Sequence, residues 1–312
     1  MANEIKAILH NHPHFYGPCK IDSETNMPEW SAGEWMYSLY NQAPNIRGII
    51  EYSFKKNIDI LTLSGCQAHK RDVDKSIQNY FNQLSALKKD FEIEYHLDEG
   101  FANLFKRSSG KKMVLISGCE IRTDHQGRTA DINVIGIHPG TYIEPGENID
   151  ETVKKAKDLG ALVTVCHPNS ANGCGIDKAF GLYNKGLVHG IEGFNAMASE
   201  TENEELGEAL KEKGMKILAV PDSHHYTDVN IAYSIFPKEL LENFSREKLI
   251  ENVQQKNFEG ILNQLSFSRR FKTHLLPMGL SVPMNLIKNP RYFIKFLKSS
   301  IFPKKDEPKI YN

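Results

Sequence analysis

Short, predominantly apolar runs recur along this chain, and most are followed by a stretch with helical spacing. Ile5–Leu9, Ile58–Leu63, Met113–Ser117, Ile132–Ile137, Leu162–Cys166, Ile191–Phe194 and Ile217–Val220 read as strands. Predominantly apolar runs of this length suit strands buried on both faces. Ser31–Tyr40, Asp72–Lys88, Ile149–Leu159, Glu202–Lys213 and Arg246–Lys256 read as helices between them. Ser31 with Glu34 three residues on makes a capping-box pattern. Leu159-Gly160 and Lys213-Gly214 look like helix ends that lead into the next strand. Strand and helix alternating this often predict an α/β fold, with a parallel sheet closed or nearly closed into a barrel.

The 312 residues allow one large domain or two ordinary ones, and no internal repeat or low-complexity linker divides them. Residues 1–272 are expected to form the barrel and 273–312 a C-terminal extension. A net charge of -1 gives no electrostatic case for a nucleic-acid groove. No segment approaches the roughly 18 apolar residues of a membrane span. The five cysteines form no C-x-x-C pair and no even framework, and Met1-Ala2-Asn3-Glu4 begins no secretory signal. A reducing, cytoplasmic setting is the expectation.

Acidic and imidazole residues gather just after the apolar runs. His10-Asn11-His12 follows the first, and two residues apart on an extended segment places both rings on one side. Glu120 follows Ser117-Gly118-Cys119, His167 follows Val163–Cys166, and Asp222 and His224 follow Leu218–Pro221. In a parallel barrel all strand C-termini open on one face, so these groups converge although they are distant in sequence. Singly, each has a simpler reading: His167-Pro168 as a turn, Glu120 as a backbone cap. Together they make a candidate metal centre. Imidazoles and carboxylates suit zinc, manganese or iron, and such ions activate water for hydrolysis. Asn172-Gly173-Cys174-Gly175 lacks the spacing of a phosphate loop and reads as an ordinary loop.

These segments, taken in order, resemble the PHP (polymerase and histidinol phosphatase) superfamily over roughly residues 5–270. Leu9–His12 looks like its opening H-x-H motif, Ser117–Glu120 its glycine-x-glutamate motif, Cys166–Pro168 its histidine-proline motif and Pro221–His224 its closing D-x-H motif. The resemblance implies a distorted (β/α)7, TIM-like barrel with a C-terminal helical extension, and a metal-dependent phosphoesterase. It further implies that His10, His12, Glu120 and Asp222 hold one ion, while Glu120 bridges to a second held partly by His167. His224 would be a ligand or, with His225, bind phosphate or protonate the leaving group, and Arg122 and Lys70 are candidate phosphate contacts.

The departures are specific. Where the family shows threonine-aspartate-histidine, this chain reads Leu63-Ser64-Gly65-Cys66-Gln67, leaving Cys66 and His69 as substitutes. A family histidine falls at Asn133, a poor ligand suited to hydrogen bonding, with Asp131 or His138 as replacements. His14 and Asp22 stand where a third-metal ligand often comes from. One or two divalent ions (Mn, Zn or Fe) are expected, three being the family's full set. The expected substrate is a phosphorylated small molecule, a nucleotide or an oligonucleotide end. An amidohydrolase-type hydrolase and a non-catalytic protein that binds metal or phosphate for regulation are the competing readings. Beyond Thr273, Tyr292, Phe293, Phe296, Leu297 and Ile301 recur at helical spacing opposite Lys288, Arg291, Lys295 and Lys298. That helix either packs on the barrel or meets a membrane surface or partner.

Overall fold

The computed structural model describes residues 4–12, 46–67, 76–223 and 228–263. The helix expected at Ser31–Tyr40 and the whole C-terminal extension lie outside the described residues. In chain order the elements are β1 (Glu4–Ile8), α1 (Ile46–Lys55), β2 (Ile60–Gln67), α2 (Ser76–Gln83), β3 (Phe91–His96), β4 (Phe101–Lys106), β5 (Lys112–His125) and β6 (Arg128–Ile135). They continue as α3 (Ile149–Asp158), β7 (Leu162–Val165), α4 (Ile176–Asn184), β8 (Gly190–Asn195), α5 (Glu200–Glu212), β9 (Leu218–Val220), β10 (Tyr233–Pro237), α6 (Glu239–Glu242), α7 (Arg246–Gln254) and β11 (Glu259–Ile261).

One sheet runs β11-β10-β1-β2-β5-β6-β7-β8-β9, with the β3–β4 hairpin on β5. Its ends meet where the Ser234 hydroxyl on β10 bonds both the N–H and the C=O of Ala219 on β9, each at 3.1 Å. The result is a nearly closed, TIM-like α/β barrel. Its strands are not all parallel, which corrects the sequence expectation. β6 is antiparallel to both β5 and β7, and β10 is antiparallel to β1. For β6 the cause is a two-residue hairpin loop: His125 pairs with Arg128 across Gln126 (φ 56) and Gly127 (φ 76). Two positive-φ residues in succession match the twist of the flanking strands.

Alternation along the strands sorts inside from outside. On β5, Cys119 and Ile121 pack with Val153 and Ala156 of α3 beneath the outer helices. Gly118, Glu120 and Arg122 therefore face the barrel interior. One end of that interior is a dry plug of Ile5, Ala7, Ile60, Val114, Ile116, Ile135, Leu162, Leu218 and Phe236. Ala7 apart, each such side chain contributes about 1.5–3 kcal/mol by burial. Above the plug the inward positions turn polar, and the sheet delivers its chemistry there. The helices outside are capped by local sequence: Asn148 accepts the Asp150 N–H at α3, and Ser199 with Glu202 closes a capping box at α5.

Candidate metal centre

His10-Asn11-His12 leaves β1 and is threaded between two neighbours. Ser223 and Asn11 form a parallel bridge, the His12 N–H donates to the Ser223 carbonyl at 2.9 Å, and the Asp222 N–H donates to the His10 carbonyl at 3.2 Å. On the other side the Ser64 N–H donates to the Asn11 carbonyl at 2.8 Å. Backbone pairing thus brings the first and last motifs of the site side by side.

Both rings are held by their far nitrogens. His10 Nδ1 donates to Glu192 Oε1 at 2.7 Å, and His12 Nδ1 donates to the Ser64 carbonyl at 3.0 Å. In the neutral rings the proton then sits on Nδ1, and the Nε2 lone pairs face inward. The two Nε2 atoms are 3.0 Å apart. Lone pairs aimed at one another at that distance repel unless a proton or a cation lies between them. Asp222 Oδ1 stands 3.5 Å from His10 Nε2 and 3.4 Å from His12 Nε2, and Glu120 Oε2 is 3.3 Å from His12 Nε2. Asn195 Nδ2 steadies the other Asp222 oxygen at 2.9 Å.

Glu120 reaches the opposite way as well. Its Oε1 accepts from His167 Nε2 at 3.1 Å, while Ser170 Oγ shares a hydrogen bond with His167 Nδ1 at 2.8 Å. The His167 backbone N–H donates to Glu192 Oε2 at 3.2 Å. His167 (φ 25) and Asp222 (φ 44) both hold left-handed backbone. That conformation costs on the order of 1–3 kcal/mol per residue and persists where the surroundings over-determine it.

The electrostatics favour positive charge at this point. Burial alone would strip protons from the imidazoles, but hydrogen bonds and charge from Glu120 and Asp222 outweigh it, raising His12 to about 10. His167 rises to about 10 against the same penalty, chiefly through Glu120. His10 is also raised, by Glu192 and Asp222 against burial. Glu120 lies well below the usual carboxylate range: burial opposes this, and hydrogen bonds from His12 and His167 overcome it. Burial and the Glu120 charge raise Asp131 to about 6, against the pull of Arg122.

The residues fit a divalent cation. His10, His12 and Asp222 offer one set of ligand atoms mutually within 4.8 Å, and Glu120, Asp131 and His167 offer another. Nitrogen with carboxylate oxygen suits zinc, manganese or iron. Cys166, buried, joins His10 and Glu120 in a third grouping.

The sequence-derived residues fare unevenly. His10, His12, Glu120, His167 and Asp222 come together as above. Glu120 sits within β5 rather than beyond a strand end, because β5 runs on into the hairpin. His224, His225, Lys70, His69, His14 and Asp22 lie outside the described residues. Arg122 Nε donates to Asp131 Oδ1 at 3.2 Å at the rim. Cys66 is half-buried opposite Glu120 in the β2–β5 register, but belongs to none of the ligand groupings among the described residues.

Asn133 makes hydrogen bonds, as its residue type suggested, and His138 lies away from the cluster. Asn133 donates its amide to the Leu9 carbonyl at 2.8 Å and accepts from Ser64 Oγ at 3.4 Å, so it braces β1 against β6. His138 is exposed beyond the end of β6, and that strand, being antiparallel to β5, carries it away from Glu120.

Sequence reasoning missed the roles of Glu192 and Asn195. The available signal was a glutamate inside the apolar run Ile191–Phe194, where a buried charge demands a partner.

No family model and no curated protein matches the chain. Among solved structures it is similar to PsfC from Pseudomonas syringae, at 13% identity and TM-score 0.48, over 91% of this chain and 99% of that one. It is also similar to the lesion-specific endonuclease PfuEndoQ from Pyrococcus furiosus, at 13% identity and TM-score 0.47. That match covers 84% of this chain and only 59% of the endonuclease. A candidate metal-dependent phosphoesterase from Bifidobacterium adolescentis follows at 9% identity and TM-score 0.39, over 58% of this chain and 83% of that one. Among the described residues, no helix is long and apolar enough to cross a membrane.

Proposed function

We propose that this chain is a metal-dependent hydrolase of phosphoric esters. The observation that carries the reading is the pair of Nε2 atoms of His10 and His12, 3.0 Å apart, with Glu120 reaching from them to His167. His10, His12 and Asp222 would hold the ion, with Glu120 shared toward His167. When bound, a divalent ion supplies Lewis acidity, which acidifies a water and offsets charge on a phosphoryl oxygen.

The chain's own groups do the rest. Glu192 and the Ser64 carbonyl fix the tautomers of His10 and His12. Arg122, with a third of its side chain exposed at the rim, presents donors to a phosphoryl oxygen. His224, two positions after Asp222 in sequence, is proposed to bind phosphate or protonate the leaving oxygen. A phosphorylated metabolite and a nucleotide or oligonucleotide end are the proposed substrates. The order of the sequence motifs, similar to that of the PHP superfamily, supports the same reading.

The test uses the purified full chain with manganese or zinc on a panel of phosphomonoesters and phosphodiesters, before and after chelation. Glu120→Ala should lose both bound metal and hydrolysis, and full activity in that variant would sink the proposal. The absence of carboxylate and imidazole from Leu63–Gln67 favours a second reading, a regulatory metal site. Tight metal binding without turnover on the whole panel would identify it.

A further inference from the structure

Asp131 carries a charge that another residue has claimed. Its side chain is 3% exposed, and it shares a grouping of ligand atoms within 4.8 Å with Glu120 and His167. Its backbone is pinned on both sides: the N–H donates to the Asn172 carbonyl at 3.0 Å, and the carbonyl accepts the Cys166 N–H at 3.2 Å. The strand that carries the carboxylate is therefore fixed beside Glu120. His12 and His167 offset the charge of Glu120, and Asp131 needs a cation of its own. Arg122 is the direct cross-strand partner of Asp131 in the β5–β6 register, and its Nε meets Asp131 Oδ1 at 3.2 Å. Unlike Asp131, the Arg122 side chain is 31% exposed, so it has solvent to move into.

We infer that Arg122 is the built-in counter-cation of a second divalent-ion subsite formed by Glu120, Asp131 and His167, and that an ion enters only as Arg122 releases Asp131. This rests on the metal-centre reading above and goes beyond it. A guanidinium against Asp131 both occupies one of its two carboxylate oxygens and repels an incoming dication. The subsite offers carboxylate oxygens from Glu120 and Asp131 and one imidazole, against two imidazoles and one carboxylate in the His10–His12–Asp222 set. It is thus the harder of the two and suits manganese or magnesium. A phosphate group that draws Arg122 away frees Asp131. By linkage, the anion and the second ion then promote each other's binding.

The experiment is a manganese titration of the full chain by equilibrium dialysis, with electron paramagnetic resonance reporting spin-coupled pairs. The wild type should bind one ion tightly and a second weakly. Arg122→Gln should tighten the second step by about tenfold or more, leave the first unchanged, and show the coupled signal at lower manganese. Arg122→Lys keeps a cation near Asp131 and should retain the weak second step. Asp131→Asn should lose the second step and keep the first.

An unchanged second step in Arg122→Gln, or its survival in Asp131→Asn, would overturn the inference, as would Arg122→Lys matching Arg122→Gln. Should Asp131→Asn fail to fold, the two Arg122 variants decide alone. Failure of the first step in the wild type, or its persistence in His10→Ala, would instead overturn the metal-centre reading itself.

Discussion

Glu192 grips His10 from behind the site: its Oε1 accepts the ring Nδ1–H at 2.7 Å, while its Oε2 takes the His167 backbone N–H at 3.2 Å. One fully buried carboxylate thereby sets the tautomer of the first histidine and the strained backbone of a later one. Glu192→Gln can still accept from His10 but turns an N–H toward the His167 N–H. We expect metal affinity to fall by about 10–100-fold, the usual cost of losing such an outer partner. Competition with a chromophoric chelator measures it, and wild-type affinity would refute the role.

Asn195 does for Asp222 what Glu192 does for His10. Its Nδ2 donates to Asp222 Oδ2 at 2.9 Å, and its Oδ1 accepts the Met197 N–H at 2.8 Å, which locks the amide orientation. Asn195→Ala releases Asp222 and should weaken metal binding by about tenfold. The same chelator assay, run beside a thermal melt, separates this effect from general destabilisation.

Gly118 has no room for a side chain. A Cβ there would lie 2.8 Å from Thr62 Cγ2 on β2 and 3.3 Å from the Val134 carbonyl on β6. Neither neighbour is a flexible tip, so Gly118→Ala must spread strands directly below Glu120. A loss of about 1–3 kcal/mol is expected, read from urea unfolding. An unchanged midpoint would show that the strands yield.

His189 gives the fold an acid-sensitive point outside the site. It is buried, and its Nδ1 accepts the Val163 N–H at 3.0 Å, which requires an unprotonated nitrogen. Burial, with the Lys157 charge, lowers it from 6.5 to about 4. Protonation therefore favours the unfolded chain. The stabilisation is intact above 6.5 and is lost as pH falls from there toward about 4. His189→Asn keeps an acceptor that cannot titrate. Its urea midpoint should vary less across that window than the wild type's, and an identical pH profile would exclude His189 as the cause.

Much of the site was legible because its residue types are costly to bury without purpose. His10, His12, Glu120, His167 and Asp222 each stand in or beside an apolar run, where an imidazole or carboxylate needs a partner. The strand direction was less legible. Met113–Ser117 and Ile132–Ile137 read as separate buried runs, but the alternating stretch from Glu120 to His125 and the Gln126-Gly127 loop join β5 and β6 as a hairpin. Alternation with a glycine-bearing two-residue loop is the antiparallel signal, and a rule for continuous apolar runs passes over it.

The sequence by itself determined the periodicities that make an α/β barrel and the residue types that converge at its polar end. Those are local properties, set by side-chain alternation, caps and turn residues. Tertiary structure alone decided the partnerships: Glu192 on His10, Asn195 on Asp222, Arg122 on Asp131, and the Leu9 carbonyl as the acceptor for Asn133. Which carboxylate meets which cation depends on strand register and direction, because one residue of slip turns a side chain to the other face.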